Sequence, residues 1–332
     1  MSEEWPMGDE QRVRQDGERW AAVEERVRRG WGLQLPESFL RFFVFLQGLG
    51  VAERRVLADM DVAPVGISDL FDDPGLSARP GIDARAHGRY YRDPPEFLTF
   101  LHGGSDGLHY GLWSDDGSTC DTVASYYTHD GGDIDTSAQT PLEAIRVLIE
   151  RHWRDLADDD GDADQMAARR HGLELLREAL TRLETGDRDE TGALYVRAYD
   201  AVAAPADPAR VATVDGAGAL VTGETSPERP VHRGPGAHRF AQTLYPLLDD
   251  PAGVARLAED ARRRLAHGDP AQALALGRDL HWASAGDPAR EALANELLVG
   301  AYQALGRSSL AGIAQAHHDH RDRPNVIVLG PR

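Results

Sequence analysis

The segment 97–113 constrains the fold of this chain more than any other part of the sequence. Two apolar runs, FLTFLH and LHYGLW, flank the glycine-rich sequence GGSDG. Side chains in the second run alternate at the period of a strand, and Gly with Asp is typical of a turn. The segment therefore predicts an antiparallel meander of strands. Alternation places on one face Leu108, Tyr110 and Leu112, and on the other His109 and Trp113.

Helices are predicted on both sides of this sheet. Apolar residues recur at helical spacing in 16–31, and a second helix begins near Pro36 and ends at Gly48. After the strands, Thr140 and Glu143 have the spacing of a capping box, with a proline at the first helical position. We expect the helix that starts there to close an N-terminal domain.

The second half of the chain is predicted to be mainly helical. A helix is expected over about 166–184, and a short strand pair near the sequence DGAGALV. Asp269 and Asp287 each precede a proline, a pairing typical of an N-cap and the first helical residue. The fold class that follows is α+β, with an N-terminal antiparallel sheet, flanking helices and a mainly helical C-terminal domain.

The length of 332 residues exceeds the usual size of one domain and favours two compact units. We expect an α+β domain over 1–156, an acidic linker over 157–168 and a helical domain over 169–332, with a short β element near 211–222. The run DDDGDAD in the linker resembles a calcium-binding loop. It lacks the glycine at the sixth position and the glutamate at the twelfth, so we interpret it as a solvated linker.

The composition argues against several kinds of protein. The formal charge of −19 opposes direct binding to the phosphate backbone of nucleic acids. Because no apolar run is long enough to span a membrane and the N-terminus is acidic, unlike a secretory signal, we expect a cytoplasmic protein. Cys120 is the only cysteine, which rules out an internal disulfide and a cysteine-rich zinc site.

Motifs of autonomous enzymes are missing from the sequence. It contains no G-x-S-x-G, no phosphate-binding loop and no H-E-x-x-H. The GxG in 215–218 lacks the third glycine of a dinucleotide-binding fold and predicts a turn. A histidine cluster near the C-terminus is spaced too closely to converge on one metal ion, so neither a metal nor a cofactor is expected. Its members are His317, His318 and His320, with Asp319 among them.

Acidic, aromatic and histidine side chains at the ends and faces of the predicted strands are the best candidates for a binding site. Such a cluster could bind a cationic or sugar-like partner. In the alternative interpretation, Asp93 only caps a turn and Asp115–Asp116–Gly117 is only a turn sequence. The candidate binding residues are Asp93, Glu96, His109, Tyr110, Asp115 and Asp116.

These motifs carry two resemblances to known families. The sequence LQLPESFLRFFVFLQGLG resembles the start of the SUKH superfamily, which includes bacterial immunity proteins. The segment HGRYYRDPPEFLTFLHGGSDGLHYGLWSDD resembles the histone PARylation factor family, and DPPEF at 93–97 is its most distinctive part. Later parts of the same family are similar to DGAGALV at 215–221 and to the helical run that begins ALALGRDLHW. The similar pieces occur in the same order over most of the chain.

The second resemblance implies a protein that docks on a transferase of the poly(ADP-ribose) polymerase type and lends it an acidic residue. That carboxylate takes the proton of a serine hydroxyl as the hydroxyl attacks the ribose. Aligned on the sequence LALG, the positions of the family's Asp–Glu pair fall at Ala266 and His267. The candidate catalytic residues are therefore His267 and the nearby Asp269, unless an alignment gap makes Glu259 or Asp260 the counterparts.

We therefore expect a non-enzymatic accessory or binding protein linked to ADP-ribosylation, which binds such a transferase or ADP-ribose and lacks the acidic pair. The alternative is a SUKH-type immunity protein whose acidic surface covers a basic toxin. The neighbouring gene would distinguish the two, since it should encode a transferase in one case and a toxin in the other. An autonomous hydrolase or metalloenzyme has the least support.

Overall fold

The computed structural model describes residues 7–129, 131–156, 162–184, 206–225 and 229–331. Within the first three of these ranges, helices lie before and after a set of strands. The helices are α1 (Met7–Trp31), α2 (Glu37–Gly48), α3 (Val51–Asp59), α4 (Pro141–Asp155) and α5 (Ala163–Thr181). The strands are β1 (Val62–Pro64), β2 (Ser77–Ala78), β3 (Phe97–Gly103), β4 (Leu108–Trp113), β5 (Thr122–Tyr127) and β6 (Gly131–Asp135).

The main sheet has the strand order β1-β3-β4-β5-β6 with antiparallel neighbours, so the predicted meander is confirmed. Phe97 pairs with Trp113 across β3 and β4, and the register shifts between Thr99 and Leu101. Short loops with glycines at positive φ, such as Gly104 and Gly107, connect the central strands.

The core of the N-terminal half is rich in aromatic side chains. Phe39, Phe42 and Phe43 of α2 are fully buried, as the helical spacing of this segment predicted. Phe39 and Phe42 meet the ring of Phe100 on β3 edge-on, and Phe43 stacks on Phe71 with ring centroids 4.1 Å apart. These contacts fix α2 against one face of the sheet.

The capping box at the start of α4 is present. Thr140 Oγ1 accepts a hydrogen bond from Glu143 N at 3.2 Å, while the Glu143 carboxylate accepts from Gln139 N at 2.7 Å. Apolar residues of α4 pack inward, but Trp153, which the helical pattern places on the buried face, is only half-buried. The guanidinium of Arg177 from α5 covers its ring at 4.6 Å.

The rest of the described chain is mainly helical, with a small sheet of order β8-β7-β9. The α+β fold predicted from the sequence is thus confirmed. The helices are α6 (Ala237–Asp249), α7 (Pro251–Ala266), α8 (Ala271–Trp282), α9 (Pro288–Ala304) and α10 (Ser308–Asp319). The strands are β7 (Asp207–Val211), β8 (Ala219–Leu220), β9 (Val231–His232) and β10 (Leu329–Gly330), of which β10 pairs with β2.

The structure describes only the second part of the predicted acidic linker. Residues 157–161 lie outside the described ranges, whereas Asp162 caps α5 by accepting hydrogen bonds from Asp164 N and Gln165 N. The second part of the predicted linker is therefore helical. The division of the chain into domains at these residues stays a prediction. Across the described ranges, no helix is long and apolar enough to cross a membrane.

Candidate functional site

Asp93 lies at the centre of a buried polar cluster. One carboxylate oxygen accepts hydrogen bonds from His109 Nε2 at 2.9 Å and from the Tyr126 hydroxyl at 2.7 Å. The other accepts from Tyr90 N at 2.8 Å and the Thr99 hydroxyl at 3.0 Å. Both oxygens of this carboxylate therefore accept hydrogen bonds from groups of the same chain.

The charge of this carboxylate is stabilised although it is completely shielded from solvent. Burial alone would raise the pKa of Asp93, but the charge and hydrogen bond of His109 outweigh burial and lower it. His109 Nδ1 lies 2.9 Å from Gly107 O, so each ring nitrogen of His109 lies beside an oxygen atom. Burial beside Asp93 also raises the pKa of the Tyr126 hydroxyl, which stays a donor.

Glu96 belongs to a second buried cluster that reaches the C-terminal half. Its Oε1 accepts hydrogen bonds from Arg278 NH1 at 2.9 Å and from the Tyr302 hydroxyl at 2.7 Å. Arg278 Nε donates to Asp215 Oδ2 at 2.8 Å, and the guanidinium lies over the ring of Trp113. Burial would lower the pKa of Arg278, but the charges of Asp215 and Glu96 outweigh it and raise the pKa.

The residue after Arg278 on α8 makes a further buried ion pair. Asp279 Oδ2 accepts a hydrogen bond from Arg229 NH2 at 2.6 Å, and Oδ1 accepts from Val214 N at 2.9 Å. Arg229 NH1 also donates to Ala212 O at 2.6 Å. Burial raises the pKa of Asp279, and the charge and hydrogen bond of Arg229 offset part of this rise. We refer to Glu96, Asp215, Arg229, Arg278 and Asp279 together as the buried ionic junction.

This junction unites the sequence motifs that carry the family resemblance. Glu96 comes from DPPEF, Asp215 from DGAGALV, and the pair Arg278–Asp279 from the helical run that begins ALALGRDL. The turn predicted at 215–218 is present, since Asp215 Oδ1 accepts a hydrogen bond from Ala217 N at 3.0 Å. The other oxygen of the same carboxylate serves the junction, a role that the turn pattern does not reveal. The motifs thus hold the two halves of the chain together.

Four of the predicted binding residues are consequently inside the protein. Asp93, Glu96, His109 and Tyr110 are at most 5% exposed. The acids of this cluster do have basic partners, but these are His109 and Arg278 of the same chain. Residues of the C-terminal helices cover Asp93 and Glu96, whereas the groups around Tyr110 belong to the N-terminal half.

The other two predicted binding residues lie nearer the surface. Asp115 forms an ion pair with Arg210 and accepts a hydrogen bond from Trp113 Nε1 at 3.0 Å. Asp116 is exposed and forms the predicted turn. Slight burial acts to raise the pKa of Asp116, but hydrogen bonds from Ser118 and Thr119 outweigh it and lower this pKa to about 2.

The candidate catalytic residues lie in the segment 266–270, which runs from the last residue of α7 to the start of α8. Its first three residues are exposed, Asp269 is half-buried and Pro270 is buried. His267 Nδ1 lies 2.7 Å from Arg263 O and donates to it, so in the neutral ring the lone pair is on Nε2. Asp269 Oδ1 accepts from Glu224 N at 3.1 Å and Ala271 N at 3.3 Å, which ties the loop to the turn at 223–224. The loop is therefore partly exposed and held in place from both sides.

The alternative counterparts of the acidic pair lie about two turns earlier, on α7. Asp260 is paired with Arg263 and Arg264, which lowers its pKa, while Glu259 is exposed. A cavity of about 310 Å³ adjoins this part of α7. Its walls are formed by Leu247, Gly253, Arg256, Leu257, Asp260, Arg264 and Gln272.

The histidine cluster on α10 does not converge in the structure. His317 is buried beside His281, whereas His320 Nε2 accepts a hydrogen bond from Asp83 N at 3.1 Å. In the described part of the chain, no group of three or more His, Cys, Asp or Glu side chains is placed to hold a metal ion. Cys120 is buried, and burial raises the pKa of its thiol.

The structure is that of an α+β protein. Its antiparallel sheet and its helical half meet at the buried ionic junction, where the distinctive sequence motifs lie. Residues 22–186 match the family model of Histone PARylation factor 1. The match confirms, for this part of the chain, the resemblance to the histone PARylation factor family that the sequence predicted. It includes the DPPEF motif, whereas the α7–α8 loop lies beyond it.

A curated relative matches a shorter stretch. Histone PARylation factor 1 of Danio rerio is 28% identical over 90 residues, which make up 26% of this chain and 26% of the relative. The match thus spans about a quarter of the relative's length.

Proposed function

We propose that this protein is a non-enzymatic accessory factor of ADP-ribosylation, which docks on a transferase of the poly(ADP-ribose) polymerase type. The observation that carries the proposal is the match of residues 22–186 to the family model of Histone PARylation factor 1. The buried ionic junction supports it, because three motifs that resemble the family form one set of contacts.

The proposed docking site is the loop 266–270 with the adjoining face of α7. Residues 266–268 of this loop are exposed, whereas Asp93 and Glu96 of the DPPEF motif are buried. His267 is anchored through Nδ1, which leaves Nε2 as its free acceptor. A transferase docked on this loop would meet the imidazole of His267. At the corresponding position, the histone PARylation factor family is expected to present a carboxylate.

The acid-lending activity of that family is not part of this proposal. Neither Ala266 nor His267 carries a carboxylate, and the carboxylate of Asp269 is used by two backbone N–H groups. The neutral imidazole of His267 could accept a proton from an attacking hydroxyl, which makes it the residue to test. Its primary role in the proposal is contact with the transferase or with ADP-ribose.

The experiment is a calorimetric titration of the purified protein with the catalytic domain of such a transferase, with and without ADP-ribose. We expect saturable binding that His267→Ala weakens about tenfold, the effect of losing a polar contact at the centre of an interface. A matched control is His171→Ala, since His171 is an exposed histidine on α5. Absence of binding by the wild-type protein to both transferase and ADP-ribose would refute the proposal.

The charge of −19 favours a second candidate, an immunity-type protein that binds a basic toxin. In that case, binding needs a protein partner only, and ADP-ribose has no effect. A strong dependence of the association rate on salt, together with a toxin gene beside this one, would select this alternative.

A further inference from the structure

Arg92 is an arginine without an acidic partner. It is half-buried, and its guanidinium lies over the ring of Trp282, 5.3 Å from the centroid. Among the described residues, no Asp or Glu forms an ion pair with it. Its buried neighbour Arg89 also lacks a carboxylate but donates to three backbone carbonyl oxygens, whereas Arg92 makes no hydrogen bond within the described part of the chain.

The neighbouring carboxylate cannot serve as the partner of Arg92. Asp93 points inward, and its two oxygens accept four hydrogen bonds from other groups. Arg89 also points inward, where it donates to Phe97 O at 2.7 Å and Pro94 O at 2.6 Å. The segment 89–93 thus buries one arginine with the aspartate and leaves the second arginine, Arg92, on the outside.

The surroundings of Arg92 are aromatic. Tyr245 on α6 is 41% exposed, and its hydroxyl lies 3.4 Å from Val214 O. Burial raises the pKa of Tyr245, whereas a hydrogen bond from Trp282 and the nearby charge of Arg92 lower it. Arg92 covers the buried ring of Trp282, and the partly exposed Tyr245 lies next to both; we call these three residues the Arg92 platform.

A guanidinium in cation–π contact with an indole is suited to binding phosphate. The contact uses one side of the group, while its other N–H donors stay available. Those donors match two phosphate oxygens in a fork, and Arg is weakly hydrated, so little is lost when the anion displaces water. An exposed aromatic ring beside it can stack on a base.

We infer that the Arg92 platform binds the phosphate groups of a nucleotide-type ligand, with Tyr245 beside its base. This inference rests on the proposed function in one respect, since ADP-ribose is the pyrophosphate-containing ligand that the proposal implies. Arg92 holds the pyrophosphate of an ADP-ribose unit, whether free or within a polymer.

The Arg92 platform is separate from the proposed docking loop. Trp282 is the last residue of α8, whereas the loop 266–270 precedes its first residue, Ala271. A helix of 12 residues is about 18 Å long. Ligand binding at the platform and docking at His267 can therefore be measured independently.

The test is calorimetric titration of the full chain with sodium pyrophosphate, ADP-ribose and short poly(ADP-ribose). We expect Arg92→Gln to weaken ADP-ribose binding about tenfold, the effect of losing one charge-assisted contact, and Arg92→Lys to restore only part of it. Arg290→Gln is the matched control, because Arg290 lies near Ala283 but is already paired with Asp249 at 3.1 Å. It should change the affinity by less than about twofold.

The outcomes separate this inference from the proposed function. Pyrophosphate or ADP-ribose binding that depends on Arg92 but not His267 supports the platform, even if no transferase docks. Equal affinities of wild type and a folded Arg92→Gln variant would overturn it. So would a wild-type protein that binds neither ligand, or one that binds an acidic peptide through Arg92 but not pyrophosphate. Unchanged thermal unfolding of the variants establishes that they are folded.

Discussion

Glu96 and Arg278 are 182 residues apart in the chain, yet their charged groups meet at 2.9 Å inside the protein. Both are at most 3% exposed, and the Tyr302 hydroxyl donates to the same oxygen of Glu96. A buried charge is tolerated only with such partners. The relationship brings the DPPEF motif of the N-terminal half into contact with α8 of the C-terminal half.

Replacing one partner of this pair should destabilise the fold strongly. We expect Glu96→Gln to lower the free energy of unfolding by about 3–5 kcal/mol, because Arg278 keeps its charge while losing one of its two acids. Chemical denaturation followed by far-UV circular dichroism measures the change. Glu296→Gln is the matched control, since Glu296 forms an exposed ion pair with Arg262 and should cost less than about 1 kcal/mol. Equal effects of the two substitutions would contradict the junction.

The hydroxyl of Tyr126 should contribute to stability through Asp93. Tyr126→Phe removes a donor from a buried carboxylate without changing the ring, so the free energy of unfolding should fall by about 1–3 kcal/mol. The control is Tyr127→Phe, because the neighbouring hydroxyl is less shielded and accepts from Arg151 at 3.1 Å. Denaturation curves of both variants give the comparison. A larger loss in the control than in Tyr126→Phe would argue against the role assigned to Asp93.

Two buried histidines should make the protein sensitive to mild acid. Burial, with the nearby charge of Arg321, lowers the pKa of His281 and His317 well below 6.5. Below pH 6.5 the unfolded chain therefore binds protons that the folded chain does not. Stability should fall by about 1.4 kcal/mol per pH unit for each histidine, until the pH reaches the folded-state pKa.

The contribution of His317 can be isolated because neither of its ring nitrogens has a hydrogen-bond partner in the described structure. His317→Leu replaces an imidazole by an apolar side chain of similar size, so the pH dependence between 6.5 and 5.5 should become shallower. Unfolding free energies at pH 7.5, 6.5 and 5.5 measure this. An unchanged slope would mean that His317 takes up its proton in the folded state as readily as in the unfolded chain.

Asp269 is expected to act on loop structure rather than on a reacting group. Asp269→Ala leaves Glu224 N without its acceptor and should lower the free energy of unfolding by about 1 kcal/mol. Asp269→Asn keeps an acceptor oxygen and should recover most of that loss. If both variants are as stable as wild type, the carboxylate is free for another role, such as contact with a partner.

Local patterns in the sequence were enough to predict much of the fold. The alternation in 108–113 identified a strand of the meander, and Thr140 with Glu143 identified the start of α4. The helices α3 and α6 were not predicted, because α3 is short and α6 contains Pro246.

The candidate site was harder to predict, because burial and pairing depend on distant residues. Glu96 of DPPEF was predicted to bind a partner, and nothing in the sequence indicates that Arg278 of the same chain is placed against it. The same holds for Asp215, whose turn geometry was predictable while its contact with Arg278 was not. Arg92 gave no sequence signal, since the lack of a partner is visible only in three dimensions.

The central claim is that the family motifs hold the fold together, while the partner contacts the α7–α8 loop. Hydrogen exchange of the protein, alone and with the catalytic domain of a poly(ADP-ribose) polymerase-type transferase, tests both parts at once. We expect new protection on complex formation in 259–270, and no change in 93–103, which is already protected in the free protein. Protection confined to 93–116, or none at all in a mixture at saturating concentration, would contradict the account.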